Sequence, residues 1–246
     1  RHVAGDSPGN FGQSSFYDAA RGECYRDFGD PIGVASRVLI QGLFGILPDA
    51  LTQQIILRPG FPDDWDKASV STPDISYRFT RKEDTDTYHI TQRFQTPLHP
   101  VLHVNARKEK IRSVKVNGVP ATWQSIESAH GYPLLSIQAE GTSSTTITIE
   151  WEGAPLHTLA VQEPVITSNG KEISKTFGSI ISQVYDPQSV LANHTVEATA
   201  FNAQIKGEPG HHTFFVYTHQ GEMDWWQPVN IYIENTRKAP SYTDFA

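Results

Sequence analysis

The chain has a single cysteine, Cys24, among 246 residues, and a single methionine, Met223. A lone thiol can neither close an intrachain disulfide nor build a cysteine metal cage. No apolar run approaches the roughly 20 residues that a membrane helix needs, so no membrane span is expected. The first residues, Arg1-His2-Val3, do not begin a charged-then-apolar leader, and any secretion signal is expected upstream of them. A basic stripe is missing as well: acids and bases are interspersed and sum to −7, which argues against nucleic acid as a partner. The Gly-x-Ser-x-Gly elbow, the phosphate loop and the dinucleotide fingerprint do not occur. No cofactor is expected.

What the chain does have is Thr, Ser, Val and Ile, with 38% hydrophobic and 19% charged residues. That composition favours a mainly β protein with enough apolar residues for real cores. One helix is expected first. Asp30 can cap it, Pro31 suits its first turn, and Ile32, Ala35, Val38, Leu39 and Leu43 recur at helical spacing to about Phe44. Gly33 and Gly42 inside it suggest close approach of another backbone. After Ile46 the pattern changes to period two, with strands expected at 54–57, 68–71, 75–81, 87–95, 101–105, 111–116, 134–138 and 145–151. The turn signals are clearest at Lys82-Glu83-Asp84-Thr85-Asp86 and Asn117-Gly118. Gly153-Ala154-Pro155 interrupts the rhythm. A second set of strands follows at 157–162, 180–185, 196–206, 212–218 and 229–234. The expected organisation is thus a helical end at 1–50, a β-sandwich at 51–153 and a smaller, Ig-like or jelly-roll sandwich at 154–246.

Three segments carry a family resemblance: Tyr17-Asp18-Ala19-Ala20-Arg21-Gly22-Glu23, the helix end Gly42-Leu43-Phe44-Gly45-Ile46, and Arg58-Pro59-Gly60-Phe61-Pro62-Asp63-Asp64-Trp65. Together they resemble the C-terminal end of six-hairpin, (α/α)6-barrel glycosidases, in which a Tyr-Asp loop leads into the last barrel helix and a Pro- and Trp-bearing segment opens a β-sandwich. The resemblance implies a C-terminal portion of a glycoside hydrolase-like protein of carbohydrate-degrading bacteria, periplasmic or secreted. It also implies carbohydrate as ligand and N-terminal domains of the same protein as partners. The isolated chain is then expected to be inactive.

Inverting glycosidases need an acid and a base carboxylate on opposite faces of the bond. Asp18, Glu23 and Asp27 are the catalytic candidates, with Tyr17, Arg21 and Arg26 as sugar-binding candidates beside them. The alternative is that Arg21, Glu23, Arg26 and Asp27 pair to fix the loop while Asp30 caps the helix. Where some six-hairpin families place a Glu before the loop tyrosine, this chain has Ser15. Trp225 and Trp226, beside Asp224 and Gln227, form a second candidate, a stacking platform with polar neighbours for sugar hydroxyls; the alternative is packing. Trp65 and Trp123 are expected in the core. His211 and His212 point to opposite faces of one strand, and His99 and His103 lie too far apart to chelate, so no metal site is expected. Asp63, Asp64 and Asp66 could ligate calcium or cap turns. A noncatalytic carbohydrate-binding or structural module is the competing reading of the whole chain.

Overall fold

The computed structural model of the protein describes residues 30–157 and 163–235. It is mainly β. Helix α1 (Asp30–Arg37) continues into a π-helical turn, Val38–Leu43, closed by Phe44 N–H donating to Leu39 O at 3.1 Å. Gly45 then turns the chain at φ +64, where a side chain would overlap the Arg58 carbonyl. Arg58 N–H donates to Gly45 O at 2.9 Å and Gly60 N–H to Leu43 O at 2.9 Å, so the Arg58–Phe61 segment is laid against the end of the helix.

The first sandwich uses β1 (Ile46–Asp49), β2 (Gln54–Leu57), β3 (Lys67–Ser71), β4 (Ile75–Lys82), β5 (Thr85–Gln92), β6 (His99–Asn105), β7 (Lys108–Val116), β8 (Val119–Pro120), β9 (Gln124–Ser125), β10 (Leu134–Gln138) and β11 (Ser144–Pro155). They form one sheet ordered β1-β2-β6-β10-β9 and a second ordered β3-β4-β5-β11-β7-β8. Alternation explains the core: every second residue of β4, Ile75, Tyr77 and Phe79, is buried, as are Ile147, Ile149 and Trp151 of β11. Leu57, Leu102 and Ile137 meet them from the other sheet.

The second sandwich uses β12 (Val165–Thr167), β13 (Glu172–Thr176), β14 (Ile180–Tyr185), β15 (Leu191–Glu197), β16 (Ala200–Ile205), β17 (Gly210–Gln220) and β18 (Met223–Ile233). The sheets are β12-β18-β17-β14 and β13-β16-β15, around Phe201, Phe214, Val216, Val229 and Ile231. The inward residues of β18 serve two cores. Val229, Ile231 and Ile233 fill the second, whereas Met223 and Trp225 belong to the first.

Several expected elements differ. The run expected as one strand at 196–206 holds only the end of β15, a turn at Ala198 with φ +50 and no glycine to announce it, and β16; residues 191–195 of β15 were not expected as strand. Strand β1 escapes notice because it contains Pro48, which an edge strand tolerates. Strand β11 passes through Gly153 to Pro155 with irregular pairing. A Cβ at Gly42 would touch only Val38 Cγ1 at 3.9 Å, while one at Gly60 would come within 3.2 Å of Gly42 O. The close approach is therefore met at Gly60 and Gly45. Of the strand expected at 157–162, residues 158–162 lie outside the described residues. Trp65 is 39% exposed rather than buried, because it stacks on the outer side of Phe61 with centroids 6.3 Å apart. Trp123 packs partly buried against the first core.

Candidate functional site

Two features outside the cores bring chemistry together. The first is an aromatic face on the sheet that holds β14, β17 and β18. Strict alternation along β18 turns Asp224, Trp226 and Pro228 outward and Met223, Trp225 and Gln227 inward. Cross-strand pairing sets Tyr217 opposite Trp226 and Phe215 opposite Tyr185. Trp226 and Tyr217 rings lie 4.9 Å apart, Trp226 and Tyr185 6.2 Å, and Tyr185 and Phe215 6.2 Å. Tyr185 is 56% exposed, so the cluster has an open side. At one end His219 Nδ1 lies 2.6 Å from Asp224 Oδ1; the carboxylate only accepts, so Nδ1 carries the proton. Burial pushes the Tyr217 phenol up from its ordinary value, and the nearby carboxylates of Asp224 and Glu127 push it further. It stays a hydroxyl donor at neutral pH.

A loop of the first sandwich borders this face. Gly131 N–H donates to Trp226 O at 2.8 Å and Trp226 N–H to Ala129 O at 2.9 Å, which fixes the backbone under the indole. The His130 ring stands edge-on to Phe215 at 5.6 Å.

The second feature is a cleft of about 440 Å³ lined by Phe61, Asp63, Arg81, Arg107, Tyr132 and Leu156, among others. Buried Asp86 organises its floor. Arg81 Nε and Arg107 Nη1 donate to Asp86 Oδ1 at 2.9 and 3.0 Å, and Trp151 Nε1 donates to Oδ2 at 3.1 Å. Arg81 Nη1 also donates to Asp63 O at 2.8 Å, and Arg107 Nη2 to Glu83 O at 3.2 Å. Both guanidinium planes are thereby held in place.

Of the residues singled out in the sequence, Tyr17, Asp18, Arg21, Glu23, Arg26 and Asp27 lie outside the described residues. The tryptophan pair is divided. Trp226 is on the aromatic face, but Trp225 is 1% exposed and locked in the first core, since neighbours on a strand point to opposite faces. Trp225 is therefore no stacking platform. Gln227 goes inward with it and accepts from Trp225 Nε1 at 3.2 Å, leaving Asp224 as the polar neighbour of Trp226. His99 Nδ1 accepts from Gly141 N–H at 3.1 Å, and burial, then the Arg58 charge, lowers the His103 pKa. Among the described residues no group of three or more His, Cys, Asp and Glu is placed to hold a metal ion.

Phe215, Tyr217 and Tyr185 were missed as partners of Trp226. The first two stand two apart in one strand, which is a signal for a shared face, but their register with β14 and β18 is a long-range fact. Asp86 was marked only as the end of a turn signal, and Arg81 and Arg107 carried no motif.

No protein-family model matches the chain, and no curated protein matches it. Among solved structures, the N-terminal periplasmic domain of ScsB from Proteus mirabilis is matched at 6% identity, over 69% of this chain and 99% of that one, with a TM-score of 0.18. Similarity that low carries no argument about this chain. No helix among the described residues is long and apolar enough to cross a membrane.

Proposed function

We propose that this chain is the noncatalytic C-terminal β portion of a glycoside hydrolase-like, carbohydrate-active protein, periplasmic or secreted, and that it holds a glycan rather than cleaving one. The observation that carries the reading is the outward aromatic cluster of Tyr185, Phe215, Tyr217 and Trp226, flanked by His219 and Asp224. Flat apolar rings stack on the C–H faces of sugars, while the Tyr217 hydroxyl, the His219 ring and the Asp224 carboxylate can take sugar hydroxyls. The opening segments of the sequence, with their resemblance to six-hairpin glycosidases, support the same class of ligand.

The test is binding of the chain to an array of plant and microbial polysaccharide fragments. Binding is expected, and Trp226→Ala should weaken it about tenfold or more, the size typical of a removed tryptophan anchor, with an unchanged circular dichroism spectrum. Turnover of an aryl glycoside by the isolated chain would overturn the noncatalytic assignment.

A second reading, support for a helical domain of the same protein, is favoured by a separate observation. Val34, Val38 and Leu39 of the helical segment are 58%, 63% and 46% exposed, an apolar stripe of the kind that marks an interaction surface. If no glycan binds, this reading takes precedence.

A further inference from the structure

The arginine cleft and the aromatic face meet at one loop. His130 packs on Phe215 and bridges to Trp226; Tyr132, two residues on and so within about 7 Å along the chain, lines the cleft with Arg81 and Arg107. A second tie lies at the end of β17, the strand that carries Phe215 and Tyr217: Gln220 Nε2 donates to the carbonyl of Pro155, another cleft residue, at 3.0 Å. The cleft volume of about 440 Å³ falls within the usual range of small-ligand sites.

The guanidinium donors of the cleft point to an anionic group. Two guanidinium groups share the single carboxylate of Asp86. Lys108, the adjacent cation, is matched by Asp84 at 2.8 Å. Asp63 at the rim meets Arg81 through its main-chain oxygen, and among the described residues its carboxylate forms no ion pair. Asp86 thus serves two cations and the Asp63 carboxylate balances the second, so the cleft is neutral overall and any hold on an anion comes from its free N–H donors rather than from net charge. Each guanidinium is a planar fork of five N–H donors, and the bonds to Asp86, Asp63 and Glu83 leave donors of both forks for the cleft. A carboxylate fits such a fork with two parallel hydrogen bonds. Because Asp86 and the two main-chain carbonyls already hold the guanidinium planes, little ordering cost remains on binding.

We infer that the cleft takes the carboxylate of an acidic sugar, so that the glycan lying on the aromatic face is a uronate-containing polysaccharide. The inference rests on the glycan reading of that face. The path from Trp226 over His130 and Tyr132 to Arg107 gives the chain of sugars a stacking end and a charged end.

The decisive comparison is calorimetric titration of the whole chain with oligosaccharides of galacturonate, mannuronate and glucuronate, each before and after chemical reduction of its carboxyl groups to hydroxymethyl. At least one uronate should bind about tenfold or more tightly than its reduced twin, the size of a lost charge-assisted hydrogen bond. Its affinity should fall as sodium chloride rises while that of the reduced twin should not. Arg107→Gln leaves Asp86 with Arg81 and Trp151 and should erase the difference between the twins; Tyr132→Ala, at an exposed position, should weaken the uronate in a chain whose core is untouched. Should Arg107→Gln fail to fold, the salt dependence and Tyr132→Ala decide. Equal binding of both twins, lost on Trp226→Ala, overturns the acidic ligand and leaves the glycan reading standing. No binding of any of these sugars or of the array fragments overturns both.

Discussion

A carboxylate as closed off as Asp86 can be buried without a large cost only because its partners replace the water it loses. It is 1% exposed, and its two oxygens accept from two guanidinium groups and one indole N–H. Arg81 and Arg107 are mostly covered and Trp151 is buried, so all three would suffer from its removal. Tyr88 shows what the same surroundings do to a phenol: burial first, and Asp86 next, hold its pKa far above the ordinary value, so it remains protonated. Asp86→Ala should therefore cost about 3–5 kcal/mol, the range for breaking a buried ion pair by deleting one member, because two cations and an indole N–H are left facing a void. Urea unfolding followed by tryptophan fluorescence measures it. A loss under about 1 kcal/mol, the worth of an exposed pair, would mean that water replaces the carboxylate and that the cleft floor is not rigid. None of this cluster was legible beforehand: Arg81 and Asp86 bracket an obvious hairpin turn, but Arg107 and Trp151 reach the same oxygens from elsewhere in the sequence.

Elements were legible where a turn carried its own chemistry. Asn117-Gly118 adopts φ +51 and +81, the left-handed pair that a two-residue hairpin requires; β7 before it was expected at 111–116, whereas the two-residue β8 after it was too short to show a pattern. The hairpin at Ala198 has no such residue, so the end of β15 was joined to β16 in one expected strand and the rest of β15 went unnoticed. Between the helix and the first sandwich, the decisive residue is Gly45. Its φ is +64, and a Cβ there would run into the carbonyl of Arg58, which is also the residue whose N–H bonds Gly45 O. Gly118 shares the positive φ but has nothing within 4 Å of a Cβ. The pair separates strain from collision. Both Gly→Ala changes should cost about 1–3 kcal/mol for the backbone conformation, and Gly45→Ala should cost clearly more, since the Arg58 carbonyl belongs to a hydrogen-bonded segment that cannot simply retreat. Thermal unfolding of the two variants checks this. Equal losses would show that the Arg58–Phe61 segment shifts freely, and then Phe61 would not be a fixed wall of the cleft.

At the scale of the whole molecule, the two sandwiches are coupled by the hairpin of β17 and β18. Glu222 N–H donates to Glu109 O at 2.7 Å, and His157 N–H donates to Gln220 Oε1 at 2.9 Å. Met223 and Trp225 complete the first core while Val229, Ile231 and Ile233 on the same strand complete the second. Only the second half of β18 was expected as a strand, at 229–234; that the strand begins at Met223 and that its first half faces a different core was not legible, which is why Trp225 was a stacking candidate. A strand that serves both cores cannot come free of one sandwich without exposing apolar area in the other. Unfolding should accordingly be a single transition, even though each sandwich has its own sheets. Trp225→Ala should cost about 3–5 kcal/mol, as large aromatic-to-alanine changes in cores do. The loss should appear equally in both sandwiches. Native-state hydrogen exchange resolves them separately: the slowest amides of Ile147 and Ile149 report on the first, those of Phe201 and Phe214 on the second. Equal acceleration in both sets is the expected result; acceleration confined to Ile147 and Ile149 would show that the second sandwich folds alone and that β18 is only laid against its neighbour.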